Sequence, residues 1–332
     1  MDTGANLVTD IFSEALHFGK ACLAVFRFQY HNNKIYQKYV DALGVNVSQI
    51  SRPENIPFLP IRFFKSHEIV STQFEPDLIF ESSGTTQTVN SRHLVKSAGI
   101  YEQSFNKCFN QFYGNIADWC VLGLLPSYLE RKSSSLVYMV QKLINQSGHE
   151  KSGFYLYDFD ALADEIQMLE ANGQKTLLIG VTFGLLDFAE KYKMRLKHTV
   201  VMETGGMKGR RKEMVRAEVH DILKEAFAVD IIHSEYGMTE LLSQAYSQGG
   251  GLFKAPAWMR VLLRDEEDPL TIKQTSNIQK SRGLINVIDL ANIYSCSFIA
   301  TDDLGVLYND GSFEVTGRMD NSDLRGCSLL AV

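Results

Sequence analysis

The sequence lacks a paired set of cysteines, a long apolar run and any low-complexity tract, and each absence excludes a class of protein. Its five cysteines are odd in number and show no Cys-x-x-Cys spacing, so neither a disulfide scaffold nor a zinc site is indicated. No uninterrupted apolar stretch reaches the roughly 18 residues that a membrane span requires. The N-terminus lacks the basic and apolar segments of a secretory signal, so we expect a cytoplasmic protein without a membrane span.

The charge balance excludes a further class of partner. The formal net charge of the 332 residues is −6, which gives no general attraction to nucleic acid, and we expect no nucleic-acid partner. Apolar residues make up 45% and charged residues 22%, proportions that are typical of a folded domain and argue against disorder. The chain is long enough for one large domain with a small appendage.

Segments with strand and helix character alternate over most of the chain, which favours an α/β fold with a mainly parallel sheet covered on both faces. Strands are predicted at 119–125, 176–181, 198–202 and 230–233, and helices at 92–113, 133–146, 160–172, 184–193 and 211–226. After about residue 258 the apolar runs are separated by turn residues, which indicates a β-rich C-terminal part with antiparallel strands.

A loop rich in hydroxyl groups follows the first short apolar run of this alternating region and has the sequence Ser82-Ser83-Gly84-Thr85-Thr86. Gly84 permits dihedral angles that expose successive backbone N–H groups, and the four hydroxyls add donors, so the loop can bind phosphate oxygens. It is not a P-loop, because it has one glycine and no lysine at the required place. A turn that caps the next helix is the alternative.

A second polar segment, Tyr236-Gly237-Met238-Thr239-Glu240, follows the strand predicted at 230–233. Open α/β sheets bind ligands beyond the carboxyl ends of their strands, so this segment is a candidate nucleotide site. Thr239 offers a hydroxyl for phosphate, Glu240 offers a hard oxygen ligand for Mg²⁺, and Tyr236 offers a ring face for a purine. A helix start capped by the threonine is the alternative.

A third set of polar residues lies near the C-terminus. Asp310-Gly311 between two apolar runs is typical of a β-hairpin turn. Asp303 can accept hydrogen bonds from both hydroxyls of a ribose, and Arg318 can reach a ribose or phosphate oxygen. A surface hairpin with charged turns is the alternative.

In this order, the segments resemble the motifs of the adenylate-forming superfamily, which includes acyl-CoA synthetases, nonribosomal-peptide adenylation domains and luciferases. Ser82 to Thr86 resemble the phosphate loop of the family, and Tyr236 to Glu240 match its Tyr-Gly-x-Thr-Glu motif. Asp303 to Gly305 match its ribose-binding Asp-Leu-Gly motif, and Gly317 to Asp320 match its Gly-Arg-x-Asp hinge. Gly205-Gly206 resembles the glycine stretch that lies along the adenine, and a simple turn is its alternative. The resemblance implies layered α/β subdomains like the N-terminal domain of that superfamily, with ATP and Mg²⁺ as cofactors and the metal on Glu240.

Two departures from the family pattern narrow this expectation. The phosphate loop of the family usually continues Gly-x-Pro-Lys, whereas this loop continues without a lysine. If the phosphates bind as usual, another cation must meet them, and Arg92 and Lys208 are the candidates. The chain ends twelve residues after Asp320, and we therefore expect the mobile C-terminal ligase domain of the family to be absent. The predicted organisation is an acyl-adenylate-forming domain over 1–320, β-rich from about 258, and a tail at 321–332.

The short length resembles one branch of the superfamily, the fatty-acyl-protein synthetases of the bacterial luminescence fatty acid reductase (the LuxE type). Members of that branch carry a cysteine near the C-terminus, and Cys327 holds this place here. The resemblance implies that a carboxylic acid, by implication a fatty acid, becomes an acyl-adenylate and is transferred to Cys327 as a thioester. A partner related to acyl-CoA reductases would then receive the acyl group. Thr239 and Glu240 are the other expected catalytic residues.

Two other functions stay open. An acid:CoA ligase of the phenylacetate-CoA ligase kind would need a pantetheine site, and the sequence provides no recognisable one. A non-catalytic nucleotide-binding subunit of a reductase complex would account for the missing loop lysine.

Overall fold

The computed structural model describes residues 3–82, 89–126, 131–205, 214–273 and 279–319. These ranges contain α-helices α1 to α9, at Thr3–Ile11, Phe18–Asn32, Lys34–Ala42, Phe63–Ser66, Ala98–Tyr113, Ser135–Ser147, Phe159–Ala171, Thr182–Lys191 and Arg216–Phe227. They also contain strands β1 to β14, at Leu59–Pro60, Leu78–Glu81, Arg92–Val95, Cys120–Leu124, Gly153–Phe154, Thr176–Gly180, Thr199–Glu203, His233–Tyr236, Ala245–Ser247, Phe253–Lys254, Met259–Arg264, Lys280–Asp289, Phe298–Tyr308 and Phe313–Arg318.

Side-chain caps and glycines set several helix ends. The Asn33 side chain accepts hydrogen bonds from the N–H groups of Ile35 and Tyr36 at the start of α3. Asp158 accepts the N–H of Ala161 at the start of α7 in the same way. Helix α6 ends at Gly148, whose φ of 64° is a conformation that glycine adopts without strain.

The parallel half of the main sheet has the strand order β5-β4-β6-β7-β8. Its side chains alternate between two cores. Along β4, Leu122 and Leu124 pack with helices α7, α8 and α9, whereas Val121 packs with α5 and α6 on the opposite face. Burial on both faces explains why these strands are continuous apolar runs in the sequence. The predicted fold class is therefore confirmed.

The antiparallel half continues the same sheet in the order β8-β9-β10-β14-β13-β12-β11. The hairpin between β13 and β14 turns at Asp310-Gly311, as predicted, and Gly311 has a φ of 83°. The short strand β1 pairs in parallel with β13, with Leu59 opposite Ile299. Beside this pairing, Nε of Arg62, the residue before helix α4, donates to Asp302 of β13 at 3.3 Å.

Two predicted elements differ from the structure. Residues 92–95, predicted as the start of a helix, form strand β3 paired with β2, and helix α5 begins only at Ala98. The strand predicted at 230–233 lies at His233–Tyr236 instead. The spacing of apolar residues carries no information about which strands pair with each other. Pairing between strands determines where both β3 and β8 form. Among the described helices, none has the length and apolar character needed to cross a membrane.

Candidate nucleotide-binding site

Tyr236, Asp303 and Arg318 meet at the junction of the parallel and antiparallel halves of the sheet. The Tyr236 hydroxyl donates to Oδ2 of Asp303 at 2.9 Å, and Nε of Arg318 donates to Oδ1 at 3.0 Å. Burial and the adjacent Asp303 charge raise the pKa of Tyr236 well above its usual value, so the hydroxyl keeps its proton and acts as a donor. The structure thus joins residues of three predicted motifs around one carboxylate.

The backbone of the Thr239-Glu240 segment is held from below by two buried side chains. Nδ1 of His93 donates to the Thr239 carbonyl at 2.8 Å, and Nδ2 of Asn292 donates to the Glu240 carbonyl at 2.7 Å. Nε2 of His93 lies 3.0 Å from Oδ1 of Asn292. That contact becomes a hydrogen bond only if the imidazole is doubly protonated, which burial opposes by lowering the pKa of His93 to about 4. His93 therefore anchors the segment through its bond to Thr239, and Asn292 anchors it independently through its bond to Glu240.

The Glu240 side chain is buried, with 5% of the residue exposed. Burial raises the pKa of its carboxyl group, while a hydrogen bond from Ser91 and the charges of Arg318 and Lys65 act in the opposite direction. Arg318 thus influences both Asp303 and Glu240. A cation placed beside Glu240 would offset the cost of burying its charge, which is the role expected of Mg²⁺.

The base of the predicted phosphate loop closes next to Glu240. Ser82 and Ser91 exchange hydrogen bonds, with the Ser82 N–H donating to the Ser91 carbonyl at 3.1 Å and the Ser91 N–H donating to Oγ of Ser82 at 2.9 Å. Because Ser91 also bonds to Glu240, Ser82 at the start of the first motif lies close to the second motif. Ser83, Gly84, Thr85 and Thr86 lie outside the described residues.

Gly205 ends strand β7 with a φ of 76°, and a Cβ atom added there would meet no atom within 4 Å. Gly237 is exposed and follows Tyr236 at the end of β8. Gly205 therefore borders open space at the carboxyl end of β7, where the sequence predicts a nucleotide, whereas a Cβ atom at Gly237 would clash with the Glu235 side chain. Gly206 lies outside the described residues.

Of the two cations that the sequence offers for the phosphates, Arg92 and Lys208, the structure describes only Arg92. Arg92 lies near carboxylates, with Nη1 3.4 Å from Glu68 and Nε 3.7 Å from Glu81. Lys208 lies outside the described residues. Lys65, which the sequence did not single out, is exposed near Glu240 and forms no ion pair within the described part of the chain.

The four described cysteines are all buried. Burial raises the pKa of Cys22 and of Cys296 to about 12 and that of Cys120 to about 11, and the pKa of Cys108 is also raised. None of these four is a thiolate near neutral pH. Cys327 lies outside the described residues. Within the described residues, no group of three or more His, Cys, Asp or Glu side chains is arranged to hold a metal.

Comparison with solved structures shows that the fold is that of adenylate-forming enzymes. ATP-bound MatB from Rhodopseudomonas palustris matches 75% of this chain with a TM-score of 0.54 and 16% identity. A long-chain-fatty-acid-CoA ligase from Archaeoglobus fulgidus matches 76% with a TM-score of 0.51 and 14% identity. The chain spans about half the length of these two proteins, 50% and 53% respectively.

Two curated proteins are similar to this chain in sequence along most of its length. Both are named long-chain-fatty-acid–luciferin-component ligase. The one from Vibrio harveyi is 20% identical over 330 residues, and the one from Aliivibrio fischeri is 21% identical over 333 residues. Each alignment covers 92% of this chain, and 84% and 85% of the respective relative. No family model matches the chain. The comparisons confirm the resemblance predicted from the motifs and the predicted enzyme class, a ligase.

Proposed function

We propose that the protein activates a fatty acid with ATP and carries the acyl group on Cys327 for transfer to a reductase. The observation that carries the first step is the convergence of Tyr236, Asp303, Arg318 and Glu240 in one site. The names of the two relatives support the fatty acid and the ligase chemistry.

In the proposed first step, a carboxylate oxygen of the acid attacks the α-phosphorus of ATP and pyrophosphate leaves. Two anionic groups must approach each other, so the reaction depends on alignment and on neutralisation of charge. Asp303 would hold the ribose hydroxyls, and Gly205, Gly206, Tyr236 and Gly237 would border the base. The loop from Ser82 to Thr86, with Thr239, would donate hydrogen bonds to the phosphates.

Glu240 fits a magnesium ligand because its carboxylate is buried and has no ion-pair partner within 4 Å among the described residues. Mg²⁺ is commonly held by one or two carboxylates together with substrate phosphates, so a single carboxylate suffices here. When bound, the ion would supply positive charge to the phosphates. We propose that Lys65 and Arg92 supply the remaining charge that the family takes from its loop lysine.

In the proposed second step, the Cys327 thiolate attacks the carbonyl carbon of the acyl-adenylate, a thioester forms and AMP leaves. The unreactive state of the four buried cysteines supports Cys327 as the acyl carrier. In this proposal residues 1–320 activate the acid, with a β-rich part from about residue 258, and residues 321–332 form the carrier tail.

Exchange of labelled pyrophosphate into ATP, dependent on added fatty acid and Mg²⁺, tests the first step. Hydroxylamine-labile labelling of the protein by radioactive acid tests the second. We expect Cys327→Ser to keep the exchange and lose the label, while the neighbouring Ser328→Ala keeps both. Exchange without any label on the protein, but with acyl-CoA formed on addition of coenzyme A, would replace the carrier proposal with a CoA ligase. No exchange with any acid would favour a non-catalytic subunit.

A further inference from the structure

A buried carboxylate at the carboxyl end of β7 lies beside the proposed nucleotide site and belongs to none of the predicted motifs. Glu203 is only 4% exposed. Its Oε2 accepts the N–H of Gly205 at 2.8 Å and the hydroxyl of Thr182 at 3.2 Å. One carboxylate oxygen therefore holds the glycine that ends the strand.

This bond also determines which way the adjoining peptide group points. The Gly205 N–H and the Thr204 carbonyl belong to one trans peptide plane, so the two point in opposite directions. With the N–H directed to Glu203, the Thr204 carbonyl is directed away from the buried carboxylate. A carbonyl in that position is a hydrogen-bond acceptor, which suits the exocyclic amino group of adenine and opposes the carbonyl that guanine has in its place.

The other oxygen of Glu203 connects to the opposite side of the site through Arg216, the first residue of α9. Nε of Arg216 donates to Oε1 of Glu203 at 3.0 Å, and Nη1 donates to the Val315 carbonyl of β14 at 3.0 Å. The guanidinium group also lies 5.0 Å from the ring centroid of Phe253. Val315 is three residues before Arg318, so Arg216 joins β7 to the strand that carries the ribose-side arginine.

The ion pair is charged throughout the physiological range. Burial by itself raises the pKa of Glu203, but a hydrogen bond with His220, the charge of Arg216 and the N–H of Gly205 together lower it to about 2. His220 lies 3.6 Å from Oε1 and also contacts Ser234 at 3.3 Å. Both carboxylate oxygens therefore have partners, and the group is not a free acid or base.

We propose that Glu203 and Arg216 are positioning residues that act as one unit, orienting the Thr204–Gly205 peptide toward the base and tying it to the strand of Arg318. This inference rests on the proposed function, because it assumes a nucleotide in the site. It assigns base discrimination to a pair of side chains that do not themselves touch the nucleotide.

Competition binding of ATP and GTP against a fluorescent ATP analogue tests the inference without requiring turnover. We expect the wild-type protein to prefer ATP. Glu203→Gln and Arg216→Met should each reduce the ATP-over-GTP preference by about tenfold, the effect of losing one charge-assisted hydrogen bond. The double variant should lose little more than the worse single variant, because the two residues act together.

Glu170→Gln is a matched control at the other end of β7. The Glu170 carboxylate likewise accepts backbone N–H groups, from Lys197 and His198, and a threonine hydroxyl, from Thr199. We expect this variant to keep the ATP-over-GTP preference. If either Glu203→Gln or Arg216→Met fails to fold, Arg216→Lys keeps the charge but loses the planar fork, and should reduce the preference in the same direction.

An unchanged ATP-over-GTP ratio in the folded Glu203 and Arg216 variants would overturn the inference, as would an equal loss in Glu170→Gln. A wild-type protein that binds ATP but exchanges no pyrophosphate would refute the proposed function and leave this comparison intact. A wild-type protein that binds no ATP would overturn both.

Discussion

The hydroxyl of Tyr236 donates a hydrogen bond to Asp303 across 67 positions of the chain, at 2.9 Å. The tyrosine ends strand β8, which pairs in parallel with β7, and the aspartate lies in the antiparallel strand β13. This hydrogen bond therefore links the parallel and antiparallel halves of the sheet. It also orients the carboxylate that we expect to hold the ribose.

Replacing Tyr236 with phenylalanine removes the donor and leaves the ring in place. We expect KM for ATP to rise about tenfold in pyrophosphate exchange, since a hydrogen bond to a charged acceptor contributes about 1.5–3 kcal/mol. Tyr308→Phe is the control, because its hydroxyl donates to Glu314 on the same β-hairpin without touching Asp303. Equal KM values in the two variants would show that Tyr236 does not orient the ribose site.

Glu240→Gln should reduce exchange about a hundredfold or more, because the amide cannot supply the negative charge that Mg²⁺ requires. Mg²⁺ binds the ionised carboxylate, and burial raises the pKa of Glu240, so protons compete at a higher pH than they would for an exposed glutamate. The Mg²⁺ concentration for half-maximal ATP binding should therefore rise as pH falls below neutrality. In Glu240→Gln this pH dependence should be weaker, because only protonation of ATP itself then competes with Mg²⁺, and the same pH dependence in both proteins would contradict the assignment.

Lys65→Ala should raise KM for ATP about tenfold, because a cation on a phosphate contributes roughly as much as one charge-assisted hydrogen bond. Lys65→Arg should restore most of the affinity. Lys197→Ala is the control, an exposed lysine just before β7, at the amino end of the strand. If Lys65→Ala behaves like Lys197→Ala, the phosphates take their charge from elsewhere.

Glu203→Gln should also lower the free energy of unfolding, by an amount that depends on pH. The pKa of Glu203 in the folded protein is about 2, below the usual 4.5, so its ionisation stabilises the fold above about pH 4.5 and this contribution is lost as pH falls through about 2. We expect the variant to be about 3 kcal/mol less stable at pH 7, and we expect this difference to be roughly halved at pH 3. Urea unfolding at both pH values measures the difference. A constant deficit would mean that the carboxylate charge is not the cause.

The alternation of strands and helices can be predicted from the sequence, because strands buried on both faces are continuous apolar runs, as in β4 and β6. The hairpin turn at Asp310-Gly311 can also be predicted, because the conformation of a turn depends on its own residues. Strand β3 cannot be predicted in this way, because its conformation depends on pairing with β2 rather than on the spacing of its own apolar residues. His93 and Asn292, which hold the Thr239-Glu240 backbone, stand far from that motif in the sequence and carried no signal of their role.

By itself, the sequence determined the class of fold and the order of the nucleotide motifs, because both depend on local residue types and spacings. Only the tertiary structure decided that Asp303 is shared by Tyr236 and Arg318, that Lys65 lies near Glu240, and that Glu203 holds Gly205. These relationships follow from which strands are neighbours in the sheet. Strand order is a property of the whole packed chain, and no local pattern encodes it.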